Sequence, residues 1–393
     1  MKKLLFLILS FIIILSACDK VGSLTKDGMK AYTEGNYKEA IEYFTKAVEK
    51  DPLKAGVAAR MLGICYLDSL NLERNPKKAF DYFTLATESG DTLAFYHLGY
   101  MYDKGLGTLQ NDEKAVEYYT KAAEMGNAEG MAAMAFLLYH GFQGVEIDKK
   151  KAVEYARASS EMGNPNAMAV LGLAYNYGDG GVEKDETKAV ELYSAAAENG
   201  STDGMALLGL AYVYGNGVKQ NQTKGVELIE KAANAGSLKG LRFMGYVYDE
   251  NIASHYGDAT DWYRKAAEAG DVVSLRILGE KLWNGSGWDN NYENINEGAK
   301  LLQEAANQGD DVAMWDLAQA YQWGKGVEAS EEKSKEWIAK SAEAGNADAQ
   351  FNLGSQYEYG IGRERNISMA KEWYKRSAEQ GNQNAIHALK YLN

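Results

Sequence analysis

AFYHLGYMYDKGLGTLQNDEKAVEYYTKAAEMGN, residues 94 to 127, decides the fold, because most of the remaining chain repeats it. Copies follow one another at intervals of 34 to 39 residues, nearly to the C-terminus. A fixed period in that range is the signature of a solenoid. Two landmarks set the register. A small residue after an apolar one recurs as Gly63, Gly99, Ala135, Gly172, Gly209, Gly245, Gly279, Ala318 and Gly354. A closing glycine recurs as Gly90, Gly126, Gly163, Gly200, Gly236, Gly270, Gly309, Gly345 and Gly381, nearly always followed by Asn, Asp or Ser.

Within one copy the apolar residues have helical spacing. Ala94, Leu98, Met101 and Tyr102 form one stripe, and Ala115, Val116, Tyr119, Ala122 and Ala123 form a second. Gly105 and Gly107 end the first helix, Asp112 is placed to cap the second, and Gly126-Asn127 turns the chain into the next copy. Gly99 and Ala122 read as points where helices approach too closely for larger side chains. One pair cannot bury both faces, so the stack of pairs becomes the core.

The pattern LG..Y..G.G(V)..(D)..KA...Y.KAA..G(N/D) resembles the Sel-like (Sel-one) repeat, a relative of the tetratricopeptide repeat, over roughly residues 55 to 393. That resemblance implies an all-α, right-handed superhelical solenoid of about ten antiparallel helix pairs with a C-terminal capping helix. It also implies an adaptor for protein partners, exported in many bacterial members. Ala31 to Pro52, with Gly35, Tyr37, Ala40, Tyr43, Phe44 and Ala47, is more like the standard tetratricopeptide motif. The expected organisation is therefore a signal peptide at 1–17, a lipidated tether at 18–25, and a tetratricopeptide-like pair at 26–52. About nine Sel-like repeats at 53–381 and a capping helix at 382–393 follow.

Lys2 and Lys3 precede a 12-residue apolar run, Leu4 to Leu15, too short to span a bilayer comfortably and typical of a signal peptide. Leu15-Ser16-Ala17-Cys18 resembles a bacterial lipobox, which implies cleavage before Cys18 and acylation of that cysteine. The expected location is the cell envelope, lipid-anchored and facing the periplasm or the exterior. Apart from Cys18 the chain has only Cys65, which in LGICYL reads as a buried helix residue. Some secreted Sel-like proteins staple each repeat with a disulfide and are associated with β-lactam recognition; this chain lacks those cysteines.

The net charge is −13, and removing residues 1–17, with two lysines and no acid, makes it −15. Phosphate neutralisation needs Lys and Arg, so nucleic acid is excluded as a partner and basic or neutral proteins are favoured. No cofactor or metal is called for. Gly105-Leu-Gly107, Gly178-Asp-Gly180, Gly215-Asn-Gly217 and Gly324-Lys-Gly326 complete no phosphate-loop motif and recur once per copy, as turns do. His97, His140, His255 and His387 stand apart and form no HExxH site, and no GxSxG elbow occurs. Glu117–Lys121 and Glu227–Lys231 are surface pairs four residues apart. A non-enzymatic scaffold is the leading reading, with an immunity protein against a secreted toxin as its sharper form. The alternative is an envelope protein recognising peptidoglycan or β-lactams with hydrolase-like activity, and exposed tryptophans stacking on sugars are a related possibility.

The later copies are the least regular. The copy from Lys239 lacks the Gly-x-Gly loop, and the next has a longer loop from Trp283 to Asn296. All seven tryptophans lie between Trp262 and Trp373. In tetratricopeptide-like arrays the first helix of each pair lines the concave face. That resemblance places the exposed positions three before, one after and four after the landmark. They are Arg242, Tyr246 and Asp249, then Arg276, Glu280 and Trp283, then Trp315, Gln319 and Gln322. Aromatics and arginines dominate binding hot spots, so these form the expected partner-binding patch, with Trp288 and Tyr292 on the adjoining loop. Trp262, Trp337 and Trp373, on second helices where other copies carry Tyr or Leu, are expected to fill gaps between repeats.

Overall fold

A computed structural model describes residues 20–67, 74–141, 145–252, 258–285 and 292–392. Cys18 and Trp288, and with them the lipobox, His255 and most of the longer loop, lie outside these residues. The described chain is helical, in two compact units, residues 1–204 and 205–393.

In the first unit the pairs are α1 (20–33) with α2 (Tyr37–Lys50), α3 (Gly56–Leu67) with α4 (Pro76–Glu88), and α5 (Ala94–Lys104) with α6 (Asp112–Glu124). Then come α7 (Ala128–His140) with α8 (Lys149–Glu161) and α9 (Pro165–Tyr177) with α10 (Glu186–Glu198). The border between units falls inside α11 (Thr202–Tyr214). In the second unit α12 (Gln222–Asn234) is followed by α13 (Leu238–Asp249) with α14 (Ala259–Glu268) and α15 (Val272–Asn284) with α16 (Tyr292–Asn307). The chain closes with α17 (Asp311–Trp323) and α18 (Glu331–Ala344), α19 (Ala347–Tyr359) and α20 (Ile367–Glu379), and the single helix α21 (Gln383–Tyr391). A repeated pairing of consecutive helices is the solenoid class the sequence period implies.

In six pairs a glycine of the first helix is a seat for a ring, whereas Gly209 and Gly279 face Ile229 and Leu302. A Cβ on Gly28, Gly63 or Gly99 would sit 2.6 Å from Phe44, Phe83 or Tyr119 of the paired second helix. Gly172, Gly245 and Gly354 receive Tyr193, Tyr263 and Tyr374 in the same way. Where the landmark is Ala135, the register puts buried Ala156 in the ring's place; opposite Ala318 it puts buried Ile338. Each ring removed from water contributes about 1.5–3 kcal/mol, so the seat matters more than any surface pair. Ala122 is also a close-contact point, though toward the following copy: a Cβ on Gly130 of α7 would lie 2.5 Å from its own.

The Gly-x-Gly loops are turns with a packing role. Gly105 and Gly107 have φ of 61° and 71°, which only glycine adopts without strain. A Cβ on Gly326 would lie 2.6 Å from the Ile295 carbonyl oxygen of the preceding second helix, and Gly107 and Gly180 lean likewise on the carbonyls of Pro76 and Lys149. In these three copies the loop thus closes onto the first turn of the previous second helix.

Three local expectations change. Residues 20–25, expected as tether, are the first turns of α1. The cap of α6 is Asn111, whose side chain accepts from Lys114 N at 2.8 Å, with Asp112 as the first helical residue. Residues 292–296, expected in the long loop, begin the 16-residue α16 instead. Ile295, in the first turns of α16, packs against the core of the second unit.

Candidate functional site

First helices form the closer layer in each unit. α5 approaches α7, and α7 approaches α9; in the second unit α15 approaches α17. Consecutive second helices make no comparably close approach among the described residues. The first unit therefore curves toward its first helices, and in the second unit the outward stripes of α15 and α17 lie on the side where these two helices meet.

The stripe differs from the expected one at its third position. Two of the three expected residues four after the landmark, Trp283 and Asp249, turn toward neighbouring elements. Trp283 is only 9% exposed, its indole N–H donates to the Lys325 carbonyl at 2.9 Å, and the Lys325 ammonium lies 4.2 Å from its ring. Asp249 accepts from Tyr263 O–H at 2.8 Å and from Lys281 Nζ at 2.7 Å. The continuous stripe steps by four, at three before, one after and five after the landmark, because side chains four apart lie on one face. On α17 it reads Trp315, Gln319 and Trp323; on α19 it reads Phe351, Ser355 and Tyr359. Trp323 is 70% exposed and Tyr359 is 65% exposed. Neither was singled out from sequence, although stepping by four along the helix reaches both.

The two arginines are not free hot spots. Arg242 donates to both Asp271 oxygens, at 3.0 and 3.3 Å, and Arg276 donates from Nε to Asp310 at 3.3 Å. Arg60 does the same to Asp91, at 3.1 Å to each oxygen. In each case the acid follows a closing glycine and leads into the next first helix. Asp271 also accepts from Ser274 N at 2.9 Å, and Asp310 from Ala313 N at 2.8 Å. The arginine is therefore a clasp between consecutive copies. The pairing is visible in the sequence once known: the three copies with Arg before the landmark are closed by Asp, and the other six by Asn or Ser. An Asn or Ser cap leaves no charge to neutralise; a half-buried Asp does.

Arg276 also pairs with Glu280 one turn on. Glu280 in turn shares a hydrogen bond with Asp316 of α17, so two carboxyls meet between neighbouring first helices. Burial, and next the Glu280 charge, push Asp316 up to about 7, so a proton stays with the pair near neutral pH. Burial likewise raises the half-buried Tyr246 hydroxyl, which faces Arg242, Arg276, Asp271 and Glu280. Trp315 is half-buried against the core, and Gln319 accepts from Trp323 Nε1 at 3.4 Å. The structure thus brings Tyr246, Arg276, Glu280, Trp315 and Gln319 onto one face, adds Asp316 and Trp323, and removes Trp283. Gln322 is exposed beside this stripe, and nothing is described of the Tyr292 side chain.

Trp337 and Trp373 are buried, as expected, whereas half-buried Trp262 stacks at 6.2 Å on Tyr248 of its own helix pair. Cys65 is buried. His97 stacks on Phe83 at 4.6 Å, and burial followed by the Arg60 charge lowers it to about 4, which keeps it neutral. Among the described residues no three His, Cys, Asp or Glu side chains converge as a metal site, and no helix is long and apolar enough to cross a membrane.

The Sel1 repeat pattern matches residues 16–52, 56–91, 93–127, 128–164, 165–201, 202–237, 256–271, 276–310, 311–346 and 347–382. No curated protein is significantly similar to the chain. Among solved structures it is similar to c5321, a protective antigen of uropathogenic Escherichia coli strains displaying an SLR fold. Identity is 27%, over 94% of this chain and 79% of that one, with a TM-score of 0.46. It is also similar to a Sel1 repeat protein from Oxalobacter formigenes, at 28% identity over 62% of this chain and 99% of that one, TM-score 0.47. A third similar structure is the immunity protein PA5088 from Pseudomonas aeruginosa, at 21% identity over 56% and 83%, TM-score 0.44. With ten matched copies spanning most of its length, this chain belongs to the Sel1 repeat family.

Proposed function

We propose that the chain is a non-enzymatic, lipid-anchored envelope scaffold that holds a protein partner on the first-helix face of its second unit. The observation that carries this reading is Trp323, a large indole left 70% exposed on the first-helix stripe. Every other tryptophan with a described side chain is at least half committed to packing. A tryptophan in water forgoes about 1.5–3 kcal/mol of burial, and such residues dominate binding hot spots. The anchor rests on the Leu15–Cys18 pattern, and the net charge of −13 favours a basic or neutral partner. An immunity role against a secreted toxin is the finer form of the same proposal.

The test is a pull-down of detergent-solubilised full chain from its own envelope, beside the Trp323→Ala/Tyr359→Ala variant. One protein retained by wild type and lost by an equally stable variant supports the scaffold and its face. If wild type captures nothing, the scaffold reading fails. If wild type and variant capture the same protein equally, the face is wrong.

A further inference from the structure

We infer that the face between α15 and α17 receives a protein segment presenting a lysine or arginine to Glu280 and Asp316, with an apolar side chain against Trp323. This rests on the scaffold reading and names the chemistry of the partner. Three carboxylates, Glu280, Asp310 and Asp316, surround a single guanidinium, Arg276. The nearby cations are already committed, Arg242 to Asp271 and Lys281 to Asp249. Even with one proton held between Glu280 and Asp316, the cluster carries one more negative charge than Arg276 neutralises, and a cation added at this half-buried place meets attraction little screened by water.

Asp316, Gln319 and Trp323 are spaced by three and four along α17, so acid, amide and indole lie in one line on one side of the helix. The row continues across copies. Tyr214 and Glu250, the equivalents of Trp323 in two consecutive copies, reach each other to hydrogen-bond. Tyr359, the next equivalent after Trp323, is exposed like it. The occupant follows from charge. A second copy of a chain with net charge −13, an anionic lipid surface or a nucleic acid would bring like charge to an acid-rich face. A basic-then-apolar protein segment satisfies both ends.

The probe is a random heptapeptide display library panned on the detergent-solubilised full chain. Enriched peptides are then synthesised and titrated. Expected are sequences with Lys or Arg a few residues from an apolar side chain. Glu280→Gln/Asp316→Asn and Trp323→Ala should each weaken binding about tenfold or more at a temperature and pH where the variants are fully folded, whereas Glu343→Gln on α18 should not. Failure to enrich any peptide, enrichment of peptides without a basic residue, or undiminished binding to the Glu280→Gln/Asp316→Asn variant overturns the inference. If that variant still captures the envelope partner, the scaffold reading stands and this one falls. If even wild type captures nothing there, the scaffold reading fails itself.

Discussion

The Arg242 guanidinium grips both carboxylate oxygens of Asp271, the residue that caps the helix of the next copy. Arg60–Asp91 and Arg276–Asp310 repeat the contact, so charge joins copies at three places where other copies use a neutral cap.

Removing the arginine alone strands a nearly buried acid. Arg242→Ala should lower the unfolding free energy by about 2 kcal/mol. Adding Asp271→Asn, the arrangement natural to other copies, should restore most of it. Urea titration of the two single variants and the double variant measures the coupling. Additive losses would mean that the two groups do not act as a pair.

Gly209 has no room for a side chain. A Cβ there would lie 2.6 Å from Ile229 Cγ1 and 2.8 Å from the Gly225 carbonyl oxygen. Backbone cannot swing aside as a side chain can, so Gly209→Val should destabilise the fold by about 1–3 kcal/mol through overpacking. Thermal unfolding checks this, and an unchanged midpoint would place the helix contact elsewhere.

Asp316 makes stability depend on pH in an unusual direction. Its pKa rises from 3.8 unfolded to about 7 folded, through burial and Glu280, with Asp310 adding and Arg276 opposing. The folded state then binds more protons than the unfolded one between those values. The stability this group contributes is full below pH 4 and declines as pH rises through 7. Asp316→Asn should flatten that part of the pH profile relative to wild type. Parallel profiles from pH 4 to 8 would count against a shared proton at Glu280.

Cys18→Ser tests the proposed anchor. The variant should move from the membrane pellet to the soluble fraction and lose acyl labelling. Retention in the pellet would end the lipobox reading.

Much of the fold is legible in the sequence because a solenoid's contacts are local. Each copy meets only its neighbours, so helix stripes, closing glycines and the small landmark residue carry nearly the whole architecture. The ring seat at Gly99 is readable as a close approach from one helix, although only the paired helix identifies Tyr119 as the occupant. The face was less legible. Arg242, Arg276 and Trp283 look like recognition residues by type, but side-chain type does not reveal what lies 29 to 42 residues away. Asp271, Asp310 and the Lys325 carbonyl claim them.

Repeat register, helix order and family follow from the sequence itself, since they depend on periodicity and on neighbours along the chain. Which polar groups are consumed in joining copies, and which remain for a partner, was decided only by tertiary packing. A rotation of one residue, 100° about a helix, separates the buried Trp283 from the stripe that leaves Trp323 in water. The pairing of Glu280 with Asp316 likewise exists only because α15 and α17 lie side by side.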